Sequence, residues 1–285
     1  MRLARAGLGL VLLAAPAFPD IRGWNVRLTG GWTTVDGGDF SAGLVGMNDL
    51  IRAEYSLVGG SWRAPRTGFD LGVEVEAELS PRFGLALGLG YLRAEKPGAV
   101  EYDYWIIRSK EEIRPVFCAV PLTLTAGFRL PVWGRLSLRA AGGPGLYFVR
   151  VGWDRDYVIN TLWVVDQGSE TWRASAARFG VQGRLAIEFA VNARIAVVLE
   201  GGGRWLRWSG ARGPWTLKGS DSLSGDYLES GARTLWRYDL AADGKGYPLW
   251  ALSDAEPRPA RSSGVGLARI DLSGFSLRAG LRVSL

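Results

Sequence analysis

The chain has no histidine and only one cysteine, Cys118. Without histidine there is no Ser-His-Asp or Cys-His nucleophile, no histidine general base and no histidine-ligated zinc or haem. A single thiol permits neither an intramolecular disulfide nor a cysteine metal cluster. Long apolar runs are also missing, which excludes a polytopic helical membrane protein. Basic residues outnumber acidic ones, 34 to 28, yet they are scattered singly and build no dense run, so no nucleic-acid partner is expected.

Aromatic and small residues are abundant instead. The 285 residues include 13 Trp, 9 Tyr and 10 Phe, too many for a disordered chain. The 40 glycines sit inside alternating segments and not in a linker, a sign of curved or closely packed sheet. Residues 1–17 read as a secretory signal peptide: Arg2 and Arg5 supply a positive start, Ala6 to Ala15 an apolar core, and Ala15-Pro16-Ala17 a cleavage site before Phe18. That core is too short to cross ~30 Å of hydrocarbon. The expectation is export and cleavage.

After residue 20 the recurrent signal is period-two alternation, with little helical periodicity. From Phe69 to Leu79, Leu71, Val73, Val75, Ala77 and Leu79 point one way while Asp70, Glu74, Glu76 and Glu78 point the other. After Ser80-Pro81-Arg82, Phe83, Leu85, Leu87, Leu89 and Tyr91 alternate with Gly84, Ala86, Gly88 and Gly90. Equivalent segments run over 113–129, 135–150, 177–190 and 194–207, with an opening strand at 24–34 and a closing strand at about 272–285. These make eight strands joined alternately by short turns (80–82, 130–134, 191–193) and long loops (about 35–68, 96–112, 151–175 and 208–271). A count of ten strands, with 209–262 crossing the membrane again, is disfavoured by the interrupted pattern of that region. Short turns on one side, long loops on the other and an even strand number describe a closed antiparallel up-and-down transmembrane β-barrel, an all-β fold with both chain ends on the short-turn, periplasmic side.

In such a barrel the apolar face meets lipid and the polar face lines a narrow lumen, which eight strands leave just wide enough for side chains to fill. The predicted lumen carries Glu74, Glu76, Glu78, Glu188 and Glu200 against Arg27, Arg129, Arg139, Arg178, Arg184, Arg278 and Arg282. Buried charges persist only when paired, so an interior ion-pair network is expected. Trp24, Trp32, Tyr91, Trp133, Tyr147, Trp205 and Trp208 lie near predicted strand ends and suggest interfacial girdles. In the last long loop, Trp215, Tyr227, Trp236, Tyr238, Tyr247 and Trp250 stand among Gly, Ser and Asp, contact chemistry for an extracellular ligand or the material of a folded cap. One form of cap would pair residues 214–218 with 233–240.

The stretch Val116-Phe117-Cys118-Ala119-Val120-Pro121-Leu122-Thr123-Leu124 resembles the proline-led strand of outer-membrane β-barrel domain proteins. Ala141-Gly142-Gly143-Pro144-Gly145 is similar to the Gly-Gly-Pro segment that follows in that family, and Phe179-Gly180-Val181-Gln182-Gly183 and the final strand share its style. The resemblance covers roughly residues 20–285 and implies the OmpA/OmpX/OmpW-like class of small barrels in a bacterial outer membrane. Lipid and the barrel-assembly machinery are then the implied partners, and a monomer is expected. The family brings no catalytic or ligand residues.

The expected role is structural or surface-interacting, with the lumen plugged; the alternative is a narrow channel or hydrophobic-solute conduit. The like-charged Glu74, Glu76 and Glu78 could raise a pKa for catalysis, but with so many arginines available they are read as paired, and the chain is not expected to be an enzyme. Asp221, Asp226 and Glu229 lack calcium-loop spacing. No metal or cofactor is expected.

Overall fold

The computed structural model describes residues 21–285, so the leader assigned to 1–17 lies outside the described residues. In chain order the elements are β1 (Gly23–Thr34), α1 (Asp39–Glu54), β2 (Ser56–Ser61), β3 (Thr67–Glu78), β4 (Phe83–Glu95), β5 (Gly98–Tyr104), β6 (Ile107–Trp133), β7 (Leu136–Asn160) and β8 (Val165–Ala190). They continue with β9 (Ile195–Trp205), β10 (Arg207–Ser209), β11 (Arg212–Asp221), β12 (Gly225–Ala242), β13 (Lys245–Ser253), β14 (Ser262–Leu267), β15 (Arg269–Asp271) and β16 (Gly274–Ser284). Among the described residues no helix is long and apolar enough to cross a membrane.

The pairing of eight of these strands returns to its origin. β1 pairs with β3, β3 with β4, β4 with β6, β6 with β7, β7 with β8, β8 with β9, β9 with β16 and β16 with β1, all antiparallel. This is a closed eight-stranded barrel without a free edge, which is what lets strands cross hydrocarbon with every backbone group paired. Short turns at 79–82, 134–135 and 191–194 gather at the end where β1 begins and β16 ends.

Outside, the wall is apolar around its circumference. Leu281, Leu28, Val73, Leu89, Leu122, Leu146 and Phe179 are successive cross-strand partners, all facing outward, and all but the half-buried Leu146 are exposed. On β6 this belt runs over residues 118–130, which at ~3.3 Å per residue and ~40° tilt rise through roughly 30 Å, a hydrocarbon thickness. Then the faces exchange character. Below the change, β6 presents Leu122, Leu124 and Phe128 outward and Thr123 and Thr125 inward; above it, Glu112 and Arg114 are exposed while Ile113 and Phe117 are completely buried. β7 and β8 change in the same way, with Val149, Val151, Trp153, Trp172 and Ala174 turned inward above the belt. One side of these strands is solvated by lipid for half their length and by water for the rest, and the side chains follow the solvent.

The four long connections are therefore not loops, a correction to the sequence reading. β6, β7 and β8 run for 27, 25 and 26 residues and carry the wall well beyond the belt, so 151–175 is mostly paired strand. The segment 96–112 holds the hairpin of β5 with β6, and 208–271 holds β10 to β15. The stretches 214–218 and 233–240 lie on adjacent strands but do not face each other: Pro214 opposes Ala232, and Trp236 opposes Ala251.

The segment 35–68 contains α1, where no helix was expected. Phe40, Leu44 and Ile51 fall on one face and are buried in the apolar core of the upper barrel. Phe40 packs against Phe117 at 5.2 Å, Trp153 at 5.6 Å and Trp250 at 5.9 Å. Glycine makes the close docking possible: a Cβ on Gly46 would stand 1.8 Å from the Pro248 carbonyl oxygen, and one on Gly43 would stand 2.0 Å from the Trp250 ring.

Candidate functional site

The interior of the membrane-level barrel is a layer of crossed charges. Glu188, on β8, sits among three arginines from three strands: Arg27 of β1 donates to it, Arg129 of β6 donates at 3.1 Å and Arg282 of β16 lies 3.5 Å away. Glu200 on β9 faces Arg278 at 2.6 Å and Arg27 at 3.1 Å. Arg184 on β8 pairs with Glu74 across the lumen, and Arg139 on β7 donates to Glu76 at 2.7 Å. Glu78 accepts from Asn25 at 2.7 Å and Arg129 at 3.1 Å.

Every barrel strand except β4 contributes a charged group. The inner face of β4 is Gly84, Ala86, Gly88 and Gly90, and that smallness has a use. A Cβ on Gly84 would stand 2.5 Å from Glu76 Oε1, and on β6 a Cβ on Gly127 would stand 2.7 Å from Arg139 Nη2. The glycines give room for long side chains to lie across the bore.

Arg27, Glu76, Glu188 and Glu200 are between 1% and 6% exposed, so their pairing is a low-dielectric one in which each charge depends on its partners. Arg178 is the exception among the predicted lumen residues. It has the right parity on β8 but stands above the charged layer, 5.6 Å over the Trp208 ring, and joins no ion pair among the described residues. Alternation alone gives a residue's side of the wall, not its height. Two lumen residues were not in the predicted charge network, although Asp70 had been placed on the polar face. Asp70 accepts from Ser276 at 2.8 Å and lies 3.5 Å from Arg278. Arg204 donates to the Leu272 carbonyl at 2.7 Å and to Thr33 at 2.8 Å. Continuing the alternation of Glu200 and Gly202 by one step would have found Arg204.

Above the charges lies the apolar core with α1, and between the two remains a cavity of about 50 Å³ lined by Asp70, Glu74, Tyr147, Arg184, Arg204 and Arg278. Two expected girdle residues belong to this interior: Tyr147 and Trp208 are 2% and 4% exposed, and Tyr147, opposite Pro121, shares the inward parity of Arg139 and Val149 on β7. Trp32, Trp133 and Trp205 are on the outer surface, exposed.

The residues offered either as ligand contacts or as a folded cap are largely spent on packing. Trp215 is buried and donates to Glu170 at 2.7 Å, Trp250 stacks in the Phe40–Trp153 cluster, and Trp236 donates to the Ser253 carbonyl at 3.3 Å. Tyr238 is partly buried, and burial raises its hydroxyl pKa. Tyr227 lines an open cleft of about 810 Å³ at the far end of the barrel, with Lys110, Asp156, Tyr157, Gln167 and Lys218. Its hydroxyl donates to Asp166 at 2.7 Å and contacts Tyr157; burial and these two partners push its pKa up. Below the cleft, Tyr102 donates to Glu111 at 2.8 Å, and burial together with that carboxylate pushes it up to about 12.

No family model matches the chain, and no curated protein matches it. Among solved structures, Neisserial surface protein A is similar at a TM-score of 0.34 and 11% identity, over 92% of this chain and 96% of its own. The outer membrane protease OmpT from Escherichia coli gives 0.31 and 9%, over 93% and 97%. The translocator domain of autotransporter NalP from Neisseria meningitidis gives 0.22 and 9%, over 98% and 94%. The fold rests on the chain's own pairing: a closed barrel with a lipid-facing belt and polar lumen is an outer-membrane β-barrel, and its place is the bacterial outer membrane. The expectation that the chain is not an enzyme does not stand. An outer membrane protease is among the barrels to which the chain is similar.

Proposed function

We propose that the chain is an outer-membrane barrel whose lumen is sealed and whose role is structural or surface-interacting, exercised by the part that stands beyond the belt. A leader in residues 1–17 would direct its export. The observation that carries this reading is the double filling of the bore. Paired arginines and carboxylates cross it at membrane level, and an apolar core around α1 fills it above. An ion entering would have to displace guanidinium groups from Glu74, Glu76, Glu188 and Glu200, which are at 1–7% exposure, and so leave buried charges uncompensated. The open cleft at Tyr227 supports a surface role, since it offers two tyrosines with amide, lysine and carboxylate groups to the outside.

The experiment is planar-bilayer recording on purified, folded barrel. The reading predicts no conductance steps above the empty membrane. Stable unit steps from the well-inserted protein would overturn it and favour a narrow channel.

A further inference from the structure

We infer that the short-turn rim of the barrel binds the phosphate groups of anionic phospholipids in the leaflet it meets. Four arginines occupy equivalent places around this rim, one at each junction between neighbouring hairpins. The Arg82 carbonyl accepts from the Arg129 amide at 2.7 Å, the Arg135 carbonyl from the Ala190 amide at 2.9 Å and the Arg194 carbonyl from the Ser284 amide at 2.7 Å. The Arg22 amide closes the ring by donating to the Glu78 carbonyl at 2.9 Å. All four side chains are exposed, and none joins an ion pair among the described residues. The turns hold no acidic residue, and the nearby Glu78 is committed to Asn25 and Arg129.

Directly beside these arginines the lipid-facing surface begins, with Phe83, Phe128, Leu130, Trp133, Phe189 and Ile195 all exposed. A phospholipid whose chains cover this surface carries its phosphate level with the guanidinium groups, which bind phosphate in a two-pronged, charge-assisted way. An acidic soluble partner would meet only the arginines. At the opposite edge of the belt, Arg93 and Arg173 are already paired with Glu95 and Asp154, each at 2.6 Å, while the exposed Arg150 joins no ion pair among the described residues. This inference depends on the barrel fold and not on a sealed lumen, so conductance and lipid selectivity fail separately.

The test is electron spin resonance of spin-labelled phosphatidylglycerol and phosphatidylcholine at the protein reconstituted in phosphatidylcholine vesicles, with folding verified by heat-dependent gel mobility. The expected result is a preference of about five-fold for phosphatidylglycerol, the gain provided by one well-placed basic residue, weakened by salt. It falls towards unity in R22Q/R82Q/R135Q/R194Q and persists in the corresponding four-lysine variant and in R93Q/R150Q/R173Q. Inorganic phosphate replacing chloride at equal ionic strength leaves it in place, because the belt holds the acyl chains. Equal association of the two lipids with folded wild-type protein would overturn the inference, as would a preference that survives the four glutamines or is abolished by inorganic phosphate.

Discussion

Glu76 and Arg139 form the simplest unit of the charged layer, each the other's nearest opposite charge in a bore that admits almost no water-exposed surface. Removing one partner strands the other in low dielectric, whereas removing both leaves a greasy gap-filling problem only. Glu76→Leu and Arg139→Met are each expected to cost about 3–5 kcal/mol, and the double variant much less than their sum. Urea unfolding of the three variants in detergent or vesicles measures this, and additive losses would show that the two side chains do not depend on each other. The same residues mark what the sequence made legible. Strict alternation put Arg27, Glu74, Glu76, Arg139, Glu188 and Glu200 on one side of the wall, and the structure brings them within bonding reach. Arg178 kept the parity but lies above the layer, since height depends on register with neighbouring strands.

At the scale of elements, the strands inside the belt were legible and their continuations were not. The reason is visible at Phe117 and Cys118. Apolar residues point outward from Cys118 towards Phe128 and inward from Phe117 back to Ile113, so the hydrophobic parity changes between adjacent residues while the strand itself continues. A reader following one phase sees the strand end there. β7 and β8 cross the same boundary, and their upper halves looked like loop for the same reason. The helix α1 was hidden by its glycines, although Phe40, Leu44, Met47 and Ile51 recur at helical spacing. Its docking is narrow enough to test. Gly46→Val places a branched side chain against the Pro248 carbonyl. Overpacking of this kind costs typically ~1–3 kcal/mol and should loosen the upper core while the barrel stays closed. Limited proteolysis should then cut within 35–66 or 245–268 in the variant, with heat-dependent gel mobility unchanged; equal resistance of the two proteins would argue against tight docking of the helix.

At the scale of the whole molecule, a single wall serves two solvents. Its lower part is a barrel with charge inside and hydrocarbon outside, and its upper part is an ordinary protein fold with an apolar core and polar surface. The exchange of faces at one height on β6, β7 and β8 is what places the membrane boundary, and the lumen, the cleft and the rim are located by that boundary. Site-directed spin labels on the outward positions of β6 measure it most directly, in a Cys118→Ser background with single cysteines at Glu112, Arg114, Leu122, Leu124 and Phe128 in reconstituted vesicles. The labels at Leu122, Leu124 and Phe128 should be relaxed by oxygen and shielded from a water-soluble nickel complex, and those at Glu112 and Arg114 should show the reverse. Uniform access of the nickel complex along the whole strand would contradict the account.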